Sequence, residues 1–305
     1  MKRLHTTLAA LSALGLLLAP ALAHAKAPPS ASADPALWVV KDKDTTIYLF
    51  GSVHVLKPGT IWFDDEVKAA FDRSDTLMLE MVEPTQEEMS REIGQLGAAP
   101  EGPALSQKLT PEARVKYVAA MEGASLPWQA FERFQPWMAA VSLSVSPLAR
   151  LGYDTQSGVE KILTDAAKAE GKTVGGLETS TQQLGYFAGL PQDQQILFLN
   201  QTVDELPQAE GEFARLVDDW KAGKPDALAK EMNESMEASP QLAQVLLYGR
   251  NANWAKWIAA RMQTPGTLFI AVGAGHLAGA KSVQDQLKAL GYQSRRLGKK
   301  DFGLR

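Results

Sequence analysis

Residues 45–54 read Thr-Thr-Ile-Tyr-Leu-Phe-Gly-Ser-Val-His, and residues 267–276 read Thr-Leu-Phe-Ile-Ala-Val-Gly-Ala-Gly-His. In each stretch an apolar run of strand-forming residues leads directly into a Gly-x-x-His motif. Because 24 of the 305 residues are glycine, the chance that a given histidine has a glycine three residues before it is roughly 8% (24/305). Two such matches in two histidines are therefore unusual. Ligands of α/β sheets bind just beyond the carboxyl ends of the strands. The repeated pattern therefore predicts one sheet with both histidines at its ligand-binding edge.

The two motif histidines are also the only ones outside the first 25 residues, where His5 and His24 lie. The chain has no cysteine. His54 and His276 are therefore its only neutral nitrogen ligands for a metal and its only groups whose unperturbed pKa lies near neutrality. Either histidine alone would equally well be structural. The occurrence of two in one context favours a shared functional site.

Residues 1–25 have the features of an export signal, with a basic start, a short apolar stretch and the small-x-small sequence Ala23-His24-Ala25. The apolar stretch is too short for a membrane span, although a retained membrane anchor is the alternative. Residues 26–35 are predicted to be a flexible leader. The absence of cysteine fits an oxidising compartment. We expect a periplasmic or secreted protein with no stable membrane insertion after cleavage of the signal.

Composition narrows the class of protein. Hydrophobic residues make up 45% and charged residues 22% of the chain, as in ordinary globular proteins. The formal charge of −4, the pI near 5.7 and the lack of long Lys/Arg runs exclude a typical nucleic-acid surface. Residues 36–305 are enough for one large domain.

Strand patterns occur mainly near the two ends of that domain. The predicted strands are a hairpin at 37–40 and 45–50, then 76–83, 173–177, 267–272 and a short one near 292–297. The predicted helices are 64–73, 111–121, 136–148, 158–170, 191–203, 207–222, 225–238, one with Trp254 and Trp257, and 280–290. We therefore predict a mixed α/β (α+β) fold. Its central sheet is built from N- and C-terminal segments, and a helical insert of about 85–260 packs over it.

Carboxylates complete the predicted site. Glu80 lies within the apolar strand 76–83, where an unpaired buried charge would cost several kcal/mol, and Glu178 follows another strand. Two imidazoles plus one or two carboxylates, with a position left for water, form the ligand set of a catalytic divalent metal. Arg250-Asn251 could stabilise an oxyanion or orient a carboxylate. Alternatively, Glu80 and Glu178 are structural carboxylates that pair with an arginine in the core. Arg250-Asn251 would then be an ordinary helix N-terminus without a functional role.

Several motifs together resemble the TraB/PrgY/GumN family, within the superfamily that includes the Tiki proteases, the erythromycin esterases and the ChaN-like haem-binding proteins. The matching segments are Gly51–His54, Leu77–Glu80, Gly176–Thr179 with Gln182-Gln183, Arg250-Asn251 with Trp254, and Ala271–Leu277. The family also tends to show Gly-Tyr-Asp followed by Gly-[Val/Leu]-Asp. Here the second motif is Gly158-Val159-Glu160, so Glu160 replaces an expected aspartate and its role is open.

The resemblance implies a metal-dependent hydrolase, in first place a peptidase and otherwise an esterase. It implies an active centre of His54, Glu80 and His276, assisted by Arg250 and Asn251. Glu178 is the second candidate carboxylate on the evidence of its own position after a strand. Zinc, manganese and cobalt are the candidate ions, and a peptide or small molecule is the expected substrate. The alternative is a protein that binds haem or another small ligand between the same histidines without turnover.

Overall fold

The computed structural model describes residues 32–237 and 239–304. The predicted export signal at 1–25 and most of the predicted leader lie outside these residues. The end of the leader is described. The amide of Ala33 donates to the carbonyl of Ile61, and the amide of Asp34 donates to the carbonyl of Lys221, both at 2.7 Å. The last residues of the predicted flexible leader are therefore anchored to the domain.

Six strands form one mixed sheet in the order β4-β3-β5-β2-β1-β6. The strands are β1 (Leu37–Lys41), β2 (Thr45–Ser52), β3 (Thr76–Leu79), β4 (Thr173–Gly176), β5 (Gly266–Gly273) and β6 (Ser294–Leu297). The neighbours β4, β3, β5 and β2 are parallel, whereas β1 is antiparallel to both β2 and β6. The fold class predicted from the sequence is confirmed: a mixed sheet with helices around it, in which five strands come from the N- and C-terminal segments and β4 comes from within the helical insert.

The helices cover both faces of the sheet and one end of it. They are α1 (Asp65–Asp72), α2 (Gln86–Leu96), α3 (Pro111–Gly123), α4 (Pro136–Arg150), α5 (Val159–Ala169), α6 (Ser180–Ala188), α7 (Gln192–Lys221), α8 (Pro225–Glu237), α9 (Pro240–Ala243), α10 (Gly249–Arg261) and α11 (Val283–Ala289). One π turn, Gln244–Tyr248, joins α9 to α10. No described helix is long and apolar enough to cross a membrane.

The central strands are apolar on both faces, as expected for parallel strands covered by helices. Phe50, Phe269 and the strand side chains on the same face of the sheet pack against α1, α5, α8 and the second half of α7. Leu49, Ile270 and the strand side chains on the opposite face pack against α10 and α11. The sheet is therefore the middle layer of three, and its two apolar faces explain the uninterrupted apolar runs in the sequence.

The helical insert has an apolar core of its own, formed by α3, α4, α6 and the first half of α7. Helix α7 belongs to both cores, because Phe198 lies in the helical core and Phe213 lies in the sheet core. Proline occurs inside two helices of this region, Pro147 in α4 and Pro207 in α7. The sequence prediction of separate helices at 191–203 and 207–222 is wrong. The chain continues as one helix through Pro207.

The predicted strand 76–83 ends earlier than expected, at Leu79. Glu80 therefore lies just beyond the carboxyl end of β3 and not in the middle of a strand. Parallel pairing stops there, because β4 ends at Gly176 opposite Leu79. This shorter strand places Glu80 one residue past the end of β3, whereas His54 and His276 lie two and three residues past the ends of their strands.

Phe269 is fully buried at the centre of the sheet core, with its ring centroid 5.7 Å from those of both Phe50 and Phe71. Phe269→Ala should lower the free energy of unfolding by about 3–5 kcal/mol, because it removes buried area and leaves a cavity. Urea unfolding of the mature protein measures this. Val115→Ala is the control, since Val115 is 70% exposed and its truncation should change stability by less than about 0.5 kcal/mol. Equal losses in both variants would contradict this description of the core.

Candidate active site

The sheet brings the predicted site residues to one edge. Strands β2 and β5 are adjacent and parallel, and Ser52 pairs with Gly273, so both Gly-x-x-His motifs leave the sheet side by side. On the other side of β5, β3 ends at Leu79, opposite Ala271. Site residues separated by up to 222 positions in the sequence (276 − 54) therefore gather at the carboxyl ends of neighbouring strands.

Arg250, near the start of α10, lies at the centre of this edge and is 1% exposed. Its Nη2 donates to Glu80 Oε2 at 2.5 Å and to Glu178 Oε2 at 2.8 Å. Burial alone would lower the pKa of Arg250, but the two carboxylates more than offset it and hold the pKa above its usual value. The guanidinium is therefore a fixed buried cation shared by two carboxylates.

Glu178 is enclosed by hydrogen-bond donors. Besides Arg250, its oxygens accept from Gln183 Nε2 at 3.2 Å, the Tyr186 hydroxyl at 3.2 Å and Trp254 Nε1 at 3.0 Å. Burial and the charge of Glu178 raise the pKa of Tyr186 to about 12, so the phenol stays a donor. These bonds account for both carboxylate oxygens. Glu178 is thus placed to hold Arg250 rather than to meet a substrate.

Glu80 has fewer donors. Its Oε1 accepts from the backbone amide of Gly273 at 2.7 Å, and its Oε2 accepts from Arg250 and from Gln183. Its Oε1 also lies 3.6 Å from Nε2 of His276. Unlike Glu178, Glu80 lines the cavity at this edge. It is therefore the carboxylate of the buried cluster that can meet a bound molecule.

His276 is held in one orientation. Its Nδ1 lies 2.6 Å from Asn251 Oδ1, and Asn251 Nδ2 donates to the carbonyl of Lys281 at 2.8 Å. Because the Asn251 amide donates to Lys281, its oxygen faces the histidine, which assigns the imidazole proton to Nδ1. Burial first, and then the charges of Arg250 and His54, keep the pKa of His276 well below 6.5. The ring is neutral, and its Nε2 lone pair is directed toward Glu80 and Arg250, whose Nη1 is 3.3 Å away.

His54 has the same kind of support on the cavity side. Its Nδ1 lies 2.7 Å from Oε1 of Glu160, the second residue of α5. Burial would raise the pKa of Glu160, but the charge of His54 and hydrogen bonds from His54 and Ser52 lower it overall. Glu160 is therefore an ionised acceptor that holds His54 by Nδ1. The histidine, 12% exposed, lines the cavity.

The close approach of α5 to the first motif depends on Gly158. A Cβ at this position would lie 2.0 Å from the backbone carbonyl oxygen of His54, a distance that no side chain could tolerate. The amide of Val159 donates to the carbonyl of Val53 at 3.1 Å. Glycine is thus required for the backbone contact that brings Glu160 within reach of His54.

A cavity of about 290 Å³ opens from this edge. One wall is the segment from Leu79 to Thr85, and the other is the face of α5 that carries Glu160, Lys161, Thr164, Asp165 and Lys168. Its inner end is formed by His54, Glu80 and Gln183. The volume lies at the small end of the range for ligand sites.

Two donors at this place are spaced like ligands of a small divalent ion, although His276 is fully buried and does not itself line the cavity. Nε2 of His276 and Oε1 of Glu80 are 3.6 Å apart, close to the separation of two ligands that each lie about 2.0–2.2 Å from one ion. Nδ1 of each histidine lies within 2.7 Å of an acceptor oxygen, on Glu160 for His54 and on Asn251 for His276, and metal-binding histidines are held by Nδ1 in this way. The pair Glu80 and Glu178 also exceeds the charge of Arg250 by one negative unit. In the described part of the chain no three His, Asp or Glu side chains are arranged to hold an ion, so His54 would have to move toward the other two.

The structure connects most of the residues that the sequence predicted. One hydrogen-bonded cluster contains Glu80, Glu178, Arg250, Asn251 and His276. His54 lies on the cavity side and is near enough for its charge to lower the pKa of His276. The sequence interpretation of Glu80 and Glu178 as partners of an arginine is also realised, because both contact Arg250.

Sequence reasoning missed Glu160 as a partner of His54, and it missed the donors Gln183 and Tyr186. Glu160 follows its glycine by two residues in a motif that was noted, but no spacing rule connects position 160 with position 54. Gln183 lies within a noted motif, whereas Tyr186 carried no signal of its own.

Comparison with known proteins gives the following similarities. The model of the TraB/PrgY/gumN family matches residues 36–296. The uncharacterized protein YbaP of Escherichia coli (strain K12) is 22% identical over 254 residues, which are 83% of this chain and 92% of that protein. An uncharacterized protein of Treponema pallidum (strain Nichols) is 21% identical over 269 residues, 82% of this chain and 79% of that protein. No solved structure matches the chain significantly.

Gly158→Ala should move α5 and break the contact between Glu160 and His54, because the added Cβ would overlap the His54 carbonyl. Nitrogen-15 NMR of histidine-labelled mature protein reads the tautomer of each ring. The wild type should show His54 protonated at Nδ1, and the variant should lose that state. Gly94→Ala is the control, since nothing lies within 4 Å of a Cβ there, and it should leave His54 unchanged. An unaltered His54 tautomer in Gly158→Ala would show that the glycine does not position Glu160.

His276 should make stability depend on pH. Its pKa is lowered in the folded protein, so the unfolded chain binds a proton below about pH 6.5 that the folded protein does not bind. The contribution of His276 to the free energy of unfolding is therefore complete above about pH 6.5. As the pH decreases from there, this contribution is lost by up to about 1.4 kcal/mol per pH unit. Urea unfolding at pH 7.5, 6.5 and 5.5 should show the stability of the wild type decreasing more steeply than that of His276→Gln. Parallel pH curves for the two proteins would contradict a neutral buried histidine.

Proposed function

The chain belongs to the TraB/PrgY/gumN family, and on that premise we propose that it is a metal-dependent hydrolase, in first place a peptidase, with its centre at His54, Glu80 and His276. One observation carries the proposal. Each histidine has Nδ1 engaged by an acceptor, Glu160 in one case and Asn251 in the other, which leaves Nε2 as the functional nitrogen. Two imidazoles prepared in the same way beside a carboxylate are typical of a hydrolytic centre.

His54 and His276 would hold a divalent ion, with Glu80 either as its third ligand or as the base beside it, and zinc, manganese and cobalt are the candidate ions. Such an ion would supply Lewis-acid polarisation of a carbonyl and activation of water for attack. The excess negative charge of Glu80 and Glu178 over Arg250 supports a cation at this place, since uncompensated buried charge is costly.

The protein's own groups would have distinct roles in hydrolysis. As the base, Glu80, the cluster carboxylate that lines the cavity, would accept a proton from the attacking water. Arg250 holds Glu80 in place through Nη2. Glu160 and Asn251 orient the two histidines, so that little reorganisation is needed when a substrate binds.

The alternative, a protein that holds haem between the two histidines, is favoured less by the geometry. Nε2 of His276 faces Glu80 at 3.6 Å and Arg250 at 3.3 Å, and its ring packs 4.4 Å from that of Trp254. A flat macrocycle would have to displace this hydrogen-bonded cluster, whereas a small ion would not.

We also propose that the protein is exported to the periplasm or beyond. N-terminal sequencing of protein from the native host tests this, because cleavage of the export signal should leave a chain that begins near Lys26.

The two carboxylates on Arg250 provide a matched test, because only Glu80 lines the cavity. Glu80→Gln should lower hydrolysis of a mixed library of internally quenched peptides, or of a p-nitrophenyl ester, by at least about 100-fold. Glu178→Gln should mainly lower the melting temperature, since it disturbs bonds from Gln183, Tyr186, Arg250 and Trp254. Equal rates for wild type and Glu80→Gln, or no hydrolysis by the wild type, would refute the proposed hydrolase.

Metal analysis of the same proteins accompanies the rate measurement. Wild type should carry about one divalent ion per chain that a chelator removes together with activity, and His54→Ala should carry much less. Glu160→Gln, which keeps the shape but weakens the hold on His54, should bind the ion about 10–100-fold more weakly. Full metal content in His54→Ala would place the ion elsewhere.

A further inference from the structure

The cavity extends well past its catalytic end, along the surface of α5. Its walls there are the segment Met81–Thr85 and the helix residues Lys161, Thr164, Asp165 and Lys168. Met81 is half-buried and Val82 is 46% exposed, so the middle of the cavity has an apolar side. The shape is a groove that leads from His54 to Lys168.

Most charges along this groove are neutralised within the protein. Glu160 contacts His54, Lys161 pairs with Asp165 at 2.5 Å, and Glu80 pairs with Arg250. Lys168 differs from them, because in the part of the chain that the structure describes it makes no ion pair within 4 Å. Its ammonium group is exposed at the outer end of the groove. The groove thus offers a substrate one uncompensated cation on the helical wall.

The distance along the helix limits what can reach this cation from the catalytic end. Lys168 follows Glu160 by eight residues, which corresponds to about 12 Å along a helix axis. An extended peptide covers about 3.3–3.6 Å per residue. A chain whose reacting bond lies at His54 would therefore place its third or fourth residue beside Lys168.

We propose that Lys168 is a specificity-determining residue that binds a carboxylate of an acidic peptide, three to four residues from the reacting bond. The inference rests on the proposed hydrolytic function of the same cavity. The carboxylate belongs either to an Asp or Glu side chain or to the C-terminus of the peptide. Apolar residues between that carboxylate and the reacting bond pack along Met81 and Val82.

Glu83 on the facing wall supplies an opposing test. It is exposed, lines the same cavity and makes no ion pair within 4 Å among the described residues. A carboxylate near Lys168 is repelled by Glu83, so Glu83→Gln should tighten binding of the acidic peptide. Lys168→Gln, which removes the positive charge, should weaken binding, and Lys168→Glu, which reverses the charge, should weaken it more.

Binding is measured without turnover in full mature protein that carries His54→Ala. The probes are fluorescein-labelled peptides with an apolar centre and a single Glu moved along the chain, each made with a free and with an amidated C-terminus. Fluorescence anisotropy gives the affinities. Lys288→Glu, on α11 across the sheet, makes the same charge change away from the groove and is the matched control.

Lys168→Glu should weaken the best acidic peptide about two- to fivefold, the range of an exposed ion pair, and leave the neutral peptide unchanged. Loss of this effect on amidation assigns the carboxylate to the C-terminus, and persistence assigns it to the Glu side chain. The inference is overturned if Lys168→Glu behaves like Lys288→Glu, if it weakens acidic and neutral peptides equally, or if no peptide binds.

Hydrolysis of the same peptides by protein with His54 intact separates the two proposals. Mass spectrometry of products should place the cleaved bond three to four residues from the preferred carboxylate. Binding that depends on Lys168 without any cleavage would leave this inference standing and refute the hydrolase. Cleavage whose rate and position do not change in Lys168→Glu would support the hydrolase and refute the role of Lys168.

Discussion

The buried ion pairs of Arg250 are the constraint on which the rest of the site depends. A fully desolvated guanidinium is tolerable only where carboxylates and carbonyl groups surround it. Glu80 and Glu178 reach it from the ends of β3 and β4, and Arg250 itself comes from α10. Three elements that are distant in sequence must therefore meet at one edge of the sheet. Removing Arg250 would leave two buried carboxylates without their shared cation.

The same cluster separates residues that support from residues that can react. Glu178 is saturated by four donor side chains, so it fixes Arg250 and leaves no oxygen for a substrate. Glu80 keeps one side toward His276 and the cavity. The two glutamates follow parallel strands in the same way, and their roles differ only because their donors differ. The environment of each carboxylate, and not its residue type, therefore decides what it can do.

Helix α5 links the inner site to the groove. Its first turn supplies Glu160 to His54, and its later turns form one wall of the cavity out to Lys168. The position of the helix depends on the contact of Gly158 with the His54 backbone. A single glycine thus sets both the orientation of the cavity histidine and the location of the groove wall, which ties the two functions of this helix together.

The sequence by itself determined the approximate positions of the strands, the shared histidine motif and the edge of the sheet at which the candidate site lies, because apolar runs and glycine turns are local signals. It also identified Glu80, Glu178, Arg250 and Asn251 as candidates. Only the tertiary structure decided how they pair, where β3 ends, that one helix runs through Pro207, and that Glu160 reaches His54. Those outcomes depend on contacts between residues far apart in the chain, where burial and the geometry of donors select one partner from several that the sequence allows.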